Sequence, residues 1–451
     1  MSVVSVYAEF AEAAAMMKLP EEVLHHAKRA TIDWFASTLP GGQQVPAKLL
    51  KKTLAEEIGL GSSTLFPSGA KTSPRNAALI NGAAAHTIEF DDIFRDGLFH
   101  PGSPIVAAAL AAAEYKETTG DQFLRGVIAG YEVSNRIARA VVPTHYEWWH
   151  TTATVGFFGT ATAAAVILQL DGEKTAHALA TVGSMSAGLQ QAFRSDAMTK
   201  PIHAGRAAEG GLLAAMMAAE GITGALDILE GERGFGNAMS SNVDWKAAVD
   251  GLGSDFTITK MTQKNHAACG HIHAIIDSIN SIRESHDFKV DDVIRVRANS
   301  YKKAKEICCN PNPKTIYEAK FSAEYCSALA VKKGGALRAS DFSKTHLNDP
   351  ELKKIMELVE LGIDECCESA FPRTRSARVE LELKDGLTLR HFAPTRKGDP
   401  DHPLSDAELS DKFRDLVVPI IGKKSAELFI QKLWSLEKIP LIHTLTEKQF
   451  H

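Results

Sequence analysis

The sequence lacks a dominant charge sign: 50 Lys and Arg stand against 55 Asp and Glu, for a formal net charge of -5, and the two signs are interspersed. A nucleic-acid scaffold is not expected, because phosphate binding needs a concentrated basic stripe. Long hydrophobic runs are also missing. The most apolar stretch, 156–170, is interrupted by Thr160 and Thr162 and stops at Asp171, short of the roughly 20 residues that cross a bilayer, so no membrane span is expected. The chain opens Met1-Ser2-Val3 and soon reaches Glu9, without a basic segment leading into an apolar one, and a cytoplasmic location is the expectation. Cysteine is scarce and oddly spaced. The six residues at 269, 308, 309, 326, 366 and 367 match neither a secreted disulfide framework nor paired zinc ligands, so free thiols in a reducing compartment are expected. No period of about 20 to 50 residues repeats, which excludes a solenoid.

What is present is a globular composition, 45% hydrophobic and 23% charged over 451 residues, enough for a sizeable core in about two or three domains. The chain up to about residue 280 reads as helical. Pro20-Glu21-Glu22 suits a first helical turn, and Val23, Ala27, Thr31 and Phe35 recur every four residues behind it. Further helices are expected at 103–116, 121–140, 156–170, 173–187, 206–219 and 271–282, where alanine permits close packing. The signal changes near Phe288. Val290, Val293, Ile294 and Val296 suggest a strand; Val379, Leu381 and Leu383 alternate before Asp385-Gly386, and Leu387 and Leu389 alternate after it, as in a hairpin. Ser405 to Glu408 has capping-box spacing ahead of Leu409 and Phe413. The expected fold is a large, mainly α domain made of 1–275 and 401–451, with a smaller α+β domain over 276–400.

Four segments carry candidate chemistry. In 81–92, His86, Glu89 and Asp92 are spaced three apart, so on a helix an imidazole and two carboxylates would share one polar face; a capped helix end with solvated acids is the plain alternative. His100, before Pro101, lies outside a regular helix and suits a directed side chain. His150 follows Trp148 and Trp149, whose rings would exclude water and favour its neutral form. In 199–206, Lys200, His203 and Arg206 gather just ahead of a helix start, which suits a polyanionic metabolite, with Lys200 as a point-charge clamp. Arg206 has a structural salt bridge as its alternative. In 264–273, Lys264, His266, Cys269, His271 and His273 are crowded together, but neither H-E-x-x-H nor matched cysteine pairs supports zinc.

Taken in order, these segments resemble the MmgE/PrpD family, which includes 2-methylcitrate dehydratases, cis-aconitate decarboxylases and iminodisuccinate epimerases. The similarity runs through Asn81-Gly82, His100-Pro101-Gly102, Thr199-Lys200-Pro201, the 264–273 segment, Pro313-Lys314-Thr315 with Phe321-Ser322, Lys384-Asp385-Gly386 and Leu404-Ser405. It covers nearly the whole chain. The resemblance implies a homodimer of subunits that each have a helical domain and an α+β lid, working without metal or organic cofactor. It puts His100, His150, Lys200 and Lys264 at active-site positions, Asp92 in the characteristic acidic segment, and Tyr325 among the residues contributed by the lid. His203, His266 and Cys269 complete the candidate substrate-binding set, with Glu89 beside Asp92 in the catalytic one. Two departures stand out. Glu89 replaces the first acid of the family's D-F-D-D pattern, and Cys269 takes a position that is histidine in aconitate-decarboxylating relatives.

Removing a proton next to a carboxylate calls for a base and for cations that oppose the developing enolate charge. The expectation is therefore a hydro-lyase of the 2-methylcitrate-dehydratase type acting on a small hydroxy di- or tricarboxylate, with His100 or His150 as base or acid and the lysines as clamps. An epimerase of a dicarboxylate or imino-dicarboxylate such as iminodisuccinate is the close alternative. A cis-aconitate-type decarboxylase ranks lower because of the two departures, and a non-enzymatic dimeric scaffold is the alternative of a different class.

Overall fold

In the computed structural model, which describes residues 1–193 and 197–446, contacts divide the chain into two units. One comprises Met1–Thr262 together with the chain from Ser405 onward; the other is Gln263–Leu404.

The first unit is built from helices. Its longer ones are α1 (Val3–Ala14), α2 (Glu21–Gly41), α3 (Pro74–Thr87), α4 (Gly102–Lys116), α5 (Gly120–Val141), α6 (Gly156–Leu168), α7 (Gly172–Met185) and α8 (Thr199–Ala219). Their starts follow local chemistry: Ser73 Oγ accepts from Asn76 N ahead of Pro74, Thr119 and Gln122 form a capping box, and Asp171 caps α7. Small residues let the helices cross closely. A Cβ on Gly205 would fall 2.2 Å from the Leu79 carbonyl oxygen, and one on Gly211 would fall 1.8 Å from Thr160 Oγ1, so α8 meets α3 and α6 almost backbone to backbone.

The apolar run around α6 is longer than expected. Continued back through the short helix Thr151–Thr154 it reaches Leu168, and this 18-residue window is 94% buried, the environment of a core helix. A second difference concerns α8, which begins at Thr199 and not near 206. Pro201 falls in its first turn, where a missing N–H breaks no helical bond.

The second unit contains α9 (His273–Ser285), α10 (Lys302–Cys308), α11 (Ala323–Lys333) and a sheet of β1 (Val293–Ser300), β2 (Val359–Ile363), β3 (Ala377–Leu383) and β4 (Thr388–Ala393) in the order β2-β1-β3-β4. β1 runs parallel to β2 and antiparallel to β3, with Val296 opposite Leu381 and Leu381 opposite Leu389. Val379, Leu381 and Leu383 are buried while their neighbours are partly exposed, the alternation expected of a sheet covered on one face by α9. Val290 lies in a 3-10 turn before β1, and Leu387 sits in the turn, its N–H held by Asp385 Oδ1. Residues 263–275 group with this unit, not with the helices: Ala267 N bonds Leu337 O and Cys269 N bonds Lys320 O. The chain then returns to the helical unit through α12 (Asp406–Ile421), capped by Ser405 and Glu408, and α13 (Lys423–Trp434).

Candidate active site

α3 ends at Thr87, one residue past His86, because Glu89 adopts a left-handed backbone (φ 59°). The expected shared helical face of His86, Glu89 and Asp92 is therefore not formed. The chain instead turns back, and Asp91 and Asp92 enter the core side by side, each about 1–2% exposed.

The two acids have opposite surroundings. Asp91 Oδ2 accepts from Ser103 Oγ at 2.7 Å, lies 2.7 Å from His86 Nδ1 and lies 3.2 Å from His100 Nδ1. Burial alone would raise its pKa, but the two imidazoles outweigh burial and hold the carboxyl well below its usual range. Asp92 accepts from the Gly102 N–H at 3.0 Å and the Tyr131 hydroxyl at 2.8 Å. Burial first, and then the charges of Asp33 and Asp91, push it well above the carboxylate range. The surroundings pull the two adjacent carboxyls in opposite directions, Asp91 toward the anion and Asp92 toward the protonated acid.

Around Asp91 the imidazoles form a row. The ring centroids of His100 and His86 are 4.8 Å apart edge to face, His86 stacks on His150 at 5.6 Å, and His150 meets His203 at 5.3 Å with their Nδ1 atoms 3.1 Å apart. His86 is fully buried, and its Nε2 has no hydrogen-bond partner among the described residues. Burial, followed by the neighbouring His86 and Lys200, lowers His150 well below its ordinary value and lowers His203 to about 4. Both rings are neutral at pH 7. His100, whose backbone N–H bonds Thr152 Oγ1 at 3.2 Å, has a side chain 16% exposed and is the more accessible imidazole of the Asp91 pair.

Lys200, in the first turn of α8, pairs with Glu89. Burial opposes its charge, but Glu89 prevails and raises the ammonium's pKa. Arg206 pairs with Glu209, which also holds Arg75 at 2.6 Å, and its side chain also lines the cavity beside His203. A cavity of about 600 Å³ opens beside His203 and Thr199, walled by Met185, Gly188 and Leu189.

The structure thus gathers Glu89, Asp92, His100, His150, Lys200 and His203 in the helical unit, with Asp92 turned toward Tyr131 and away from the imidazoles. Lys264, His266, Cys269 and Tyr325 belong to the α+β unit. There Lys264 is 3% exposed. His266 is committed at both ring nitrogens, Nε2 to Asp277 Oδ1 at 2.9 Å and Nδ1 accepting from Leu337 N at 3.0 Å. Tyr325 is buried and its hydroxyl donates to the Asp341 carbonyl at 2.9 Å, a packing arrangement within its own unit.

The central residue, Asp91, was not singled out from the sequence, and neither was His86 as its partner. The local signal was the histidine five positions before an acid pair, but sequence cannot tell which adjacent acid turns inward. His86, Asp91 and His100 present ligand atoms within 4.8 Å of one another, a two-imidazole, one-carboxylate set of the kind transition ions use. Of these atoms, His86 Nδ1 and Asp91 Oδ2 are hydrogen-bonded, and His100 Nδ1 forms an ion pair with the same oxygen.

Two family models match: the MmgE/PrpD N-terminal domain over residues 6–248 and the MmgE/PrpD C-terminal domain over residues 266–437. Among curated proteins the chain is 26% identical to cis-aconitate decarboxylase of Homo sapiens (98% of this chain, 94% of the relative) and 25% identical to that of Mus musculus (99% and 93%). It is 23% identical to the cis-aconitate decarboxylase-like protein oryM of Aspergillus oryzae (93% and 91%). Matched in both domains over nearly its full length, the chain belongs to the MmgE/PrpD family, a group of enzymes that handle small carboxylic acids by dehydratase- or decarboxylase-type chemistry.

Proposed function

We propose that the protein is a cofactor-independent lyase acting on a small hydroxy di- or tricarboxylate, removing a proton next to a carboxylate and expelling water. The observation that carries this reading is the Asp91 carboxylate shared by two imidazoles, His86 at 2.7 Å and His100 at 3.2 Å. In this reading His100, the accessible member, takes the carbon-bound proton, and the anionic Asp91 stabilises the imidazolium that forms. Such positioned proton transfer contributes about 10²–10⁴-fold in rate. The leaving hydroxyl departs as water with the proton returned by the His100 imidazolium, the neutral His150 hydrogen-bonds it, and Lys200, aimed by Glu89, opposes the enolate charge that builds on the substrate carboxylate.

A second reading, loss of carbon dioxide from a cis-aconitate-like acid, is favoured by the names of the three relatives. It uses the same clamp, with an imidazole delivering a proton to carbon in place of removing one. Proton NMR in deuterium oxide, with citrate-like, aconitate-like and imino-dicarboxylate substrates, separates the readings. A new alkene without loss of a carboxylate supports dehydration. Release of carbon dioxide replaces it with the second reading, α-deuterium exchange with inversion and no alkene assigns an epimerase instead, and no turnover of any acid overturns all three.

A further inference from the structure

The row of imidazoles ends in a contact to which the proposed reaction gives no role. His150 and His203 approach through like atoms, Nδ1 to Nδ1 at 3.1 Å, with their ring centroids 5.3 Å apart and the planes tilted by 44°. Separate elements build the pair. His150 sits just ahead of the short helix Thr151–Thr154 and is 1% exposed; His203 lies early in α8, is partly exposed, and lines the cavity of about 600 Å³. The segment that follows α7 lies across both. Gly188 O accepts from His150 N at 2.9 Å, and a Cβ on Gly188 would fall 2.2 Å from Ala153 Cβ and 3.4 Å from His203 Nδ1, so the missing side chain lets this backbone hold His150 while resting against the pair.

Two facing Nδ1 atoms at hydrogen-bond distance need complementary tautomers. If neither carried a proton, two lone pairs would oppose each other; if both did, two protons would meet; so one ring donates and the other accepts. Burial lowers the pKa of both rings, His203 to about 4, so the shared proton belongs to a neutral imidazole. The choice has a consequence on the far side of the His150 ring. A His150 that accepts at Nδ1 keeps its own proton on Nε2 and is an N–H donor there. A His150 that donates at Nδ1 presents a lone pair at Nε2, which repels the oxygen of a departing hydroxyl.

We propose that His203 donates from Nδ1 to His150 Nδ1 and is thereby a positioning residue, fixing His150 as the Nε2–H tautomer that hydrogen-bonds the leaving hydroxyl. His203 acts through His150, in the way that a third group orients the base of a nucleophile–base pair. The complementary tautomers follow from the 3.1 Å contact alone; the direction of the bond rests on the hydro-lyase reading, which needs a donor at position 150.

Substitution at 203 separates the hydrogen bond from packing, because Asn and Asp share a shape and differ in what they can give. The amide of His203→Asn puts an N–H donor near the place of Nδ1, the carboxylate of His203→Asp only accepts, and His203→Phe keeps a ring with neither. In His203→Phe kcat is expected to fall about 10–10²-fold with KM within about threefold of the parent; His203→Asn recovers kcat to within about fivefold of the parent, and His203→Asp stays no higher than the Phe variant. Turnover of His203→Asp at or above that of His203→Asn overturns the direction of the bond. Equal kcat in all three variants, whether lowered alike by lost packing or unchanged from the parent, overturns the role of the bond.

Nitrogen-15 NMR of the resting, histidine-labelled protein reads the tautomers without substrate. The expected His150 signals, identified by their absence in His150→Gln, show a protonated Nε2 and a bare Nδ1, with Nδ1 protonated in His203. A His150 protonated on Nδ1, or averaged between the two forms, overturns the proposal even if the variants at 203 do not fold. The expected tautomers in a protein that turns over none of the tested acids would leave the His203–His150 bond standing while removing the reaction it serves.

Discussion

At the scale of single residues, Asp91 and Asp92 are neighbours in sequence with opposite jobs. Asp91 lies against His86 and His100, which favour its charged form; Asp92 accepts from Gly102 and Tyr131 where burial favours its protonated form. Asp91→Asn keeps the volume but removes the charge that supports an imidazolium, and kcat/KM is expected to fall about 10²–10⁴-fold. Asp92→Asn replaces a group whose surroundings favour its neutral form and should stay within about tenfold of the parent in the same assay. Equal losses in the two variants would remove the distinction drawn between them. The pH dependence of stability offers a separate check. Asp92 has a raised pKa in the folded protein, so above about pH 4 the native state keeps a proton that the unfolded chain releases, and this group lowers stability as pH rises. The melting temperature of Asp92→Asn relative to the parent should therefore increase with pH above about 4, and a difference that is flat or falls with pH contradicts the raised pKa. None of this was legible from the sequence. The segment containing both acids stood out, but the residue at 89 turns left-handed, and it is this turn that decides which carboxylate faces the imidazoles.

At the scale of elements, the site depends on two helices crossing at small residues. His86 lies in the last turn of α3, Lys200 and His203 lie at the start of α8, and Gly205 sits where a methyl group would lie 2.2 Å from the Leu79 carbonyl oxygen. That neighbour is backbone and cannot rotate away. Gly205→Ala should destabilise the protein by about 1–3 kcal/mol, measured by denaturant unfolding, because overpacking forces the helices apart. It should also lower turnover, since the same shift separates Lys200 and His203 from His86. Unchanged stability would mean that the crossing is looser than its geometry. The amphipathic helices and the β3–β4 hairpin were legible because their periods, 3.6 and 2, are local properties of the sequence. The start of α8 was not: a proline at 201 reads as a break, yet in the first helical turn it costs no hydrogen bond. That difference of about two turns moved Lys200 from a loop onto a helix.

At the scale of the whole chain, the helical unit is closed by a segment that returns after residue 404, and one buried ion pair makes the closure specific. Lys412 on α12 is about 1% exposed; its Nζ lies 2.6 Å from Asp33 Oδ1 on α2, 379 positions earlier, and donates to the Phe90 carbonyl at 2.7 Å. The ammonium also lies 4.1 Å above the Phe90 ring. One side chain therefore ties the C-terminal return both to the core and to the loop that carries Asp91. A capping box announced α12 locally, but its partner was beyond any local pattern. Removing one member of a buried pair leaves the other charged and unsolvated, so Lys412→Met is expected to cost about 3–5 kcal/mol. Asp33→Leu combined with Lys412→Met removes both charges and should recover a large part of that loss, giving a favourable coupling in a double-mutant cycle followed by urea unfolding. Additive losses would show that Lys412 acts mainly through Phe90. In that outcome the double variant would also keep the low turnover of the single one, because the backbone between Glu89 and Asp91 would have lost its anchor, whereas a pair-dominated Lys412 predicts that stability recovers further than activity does.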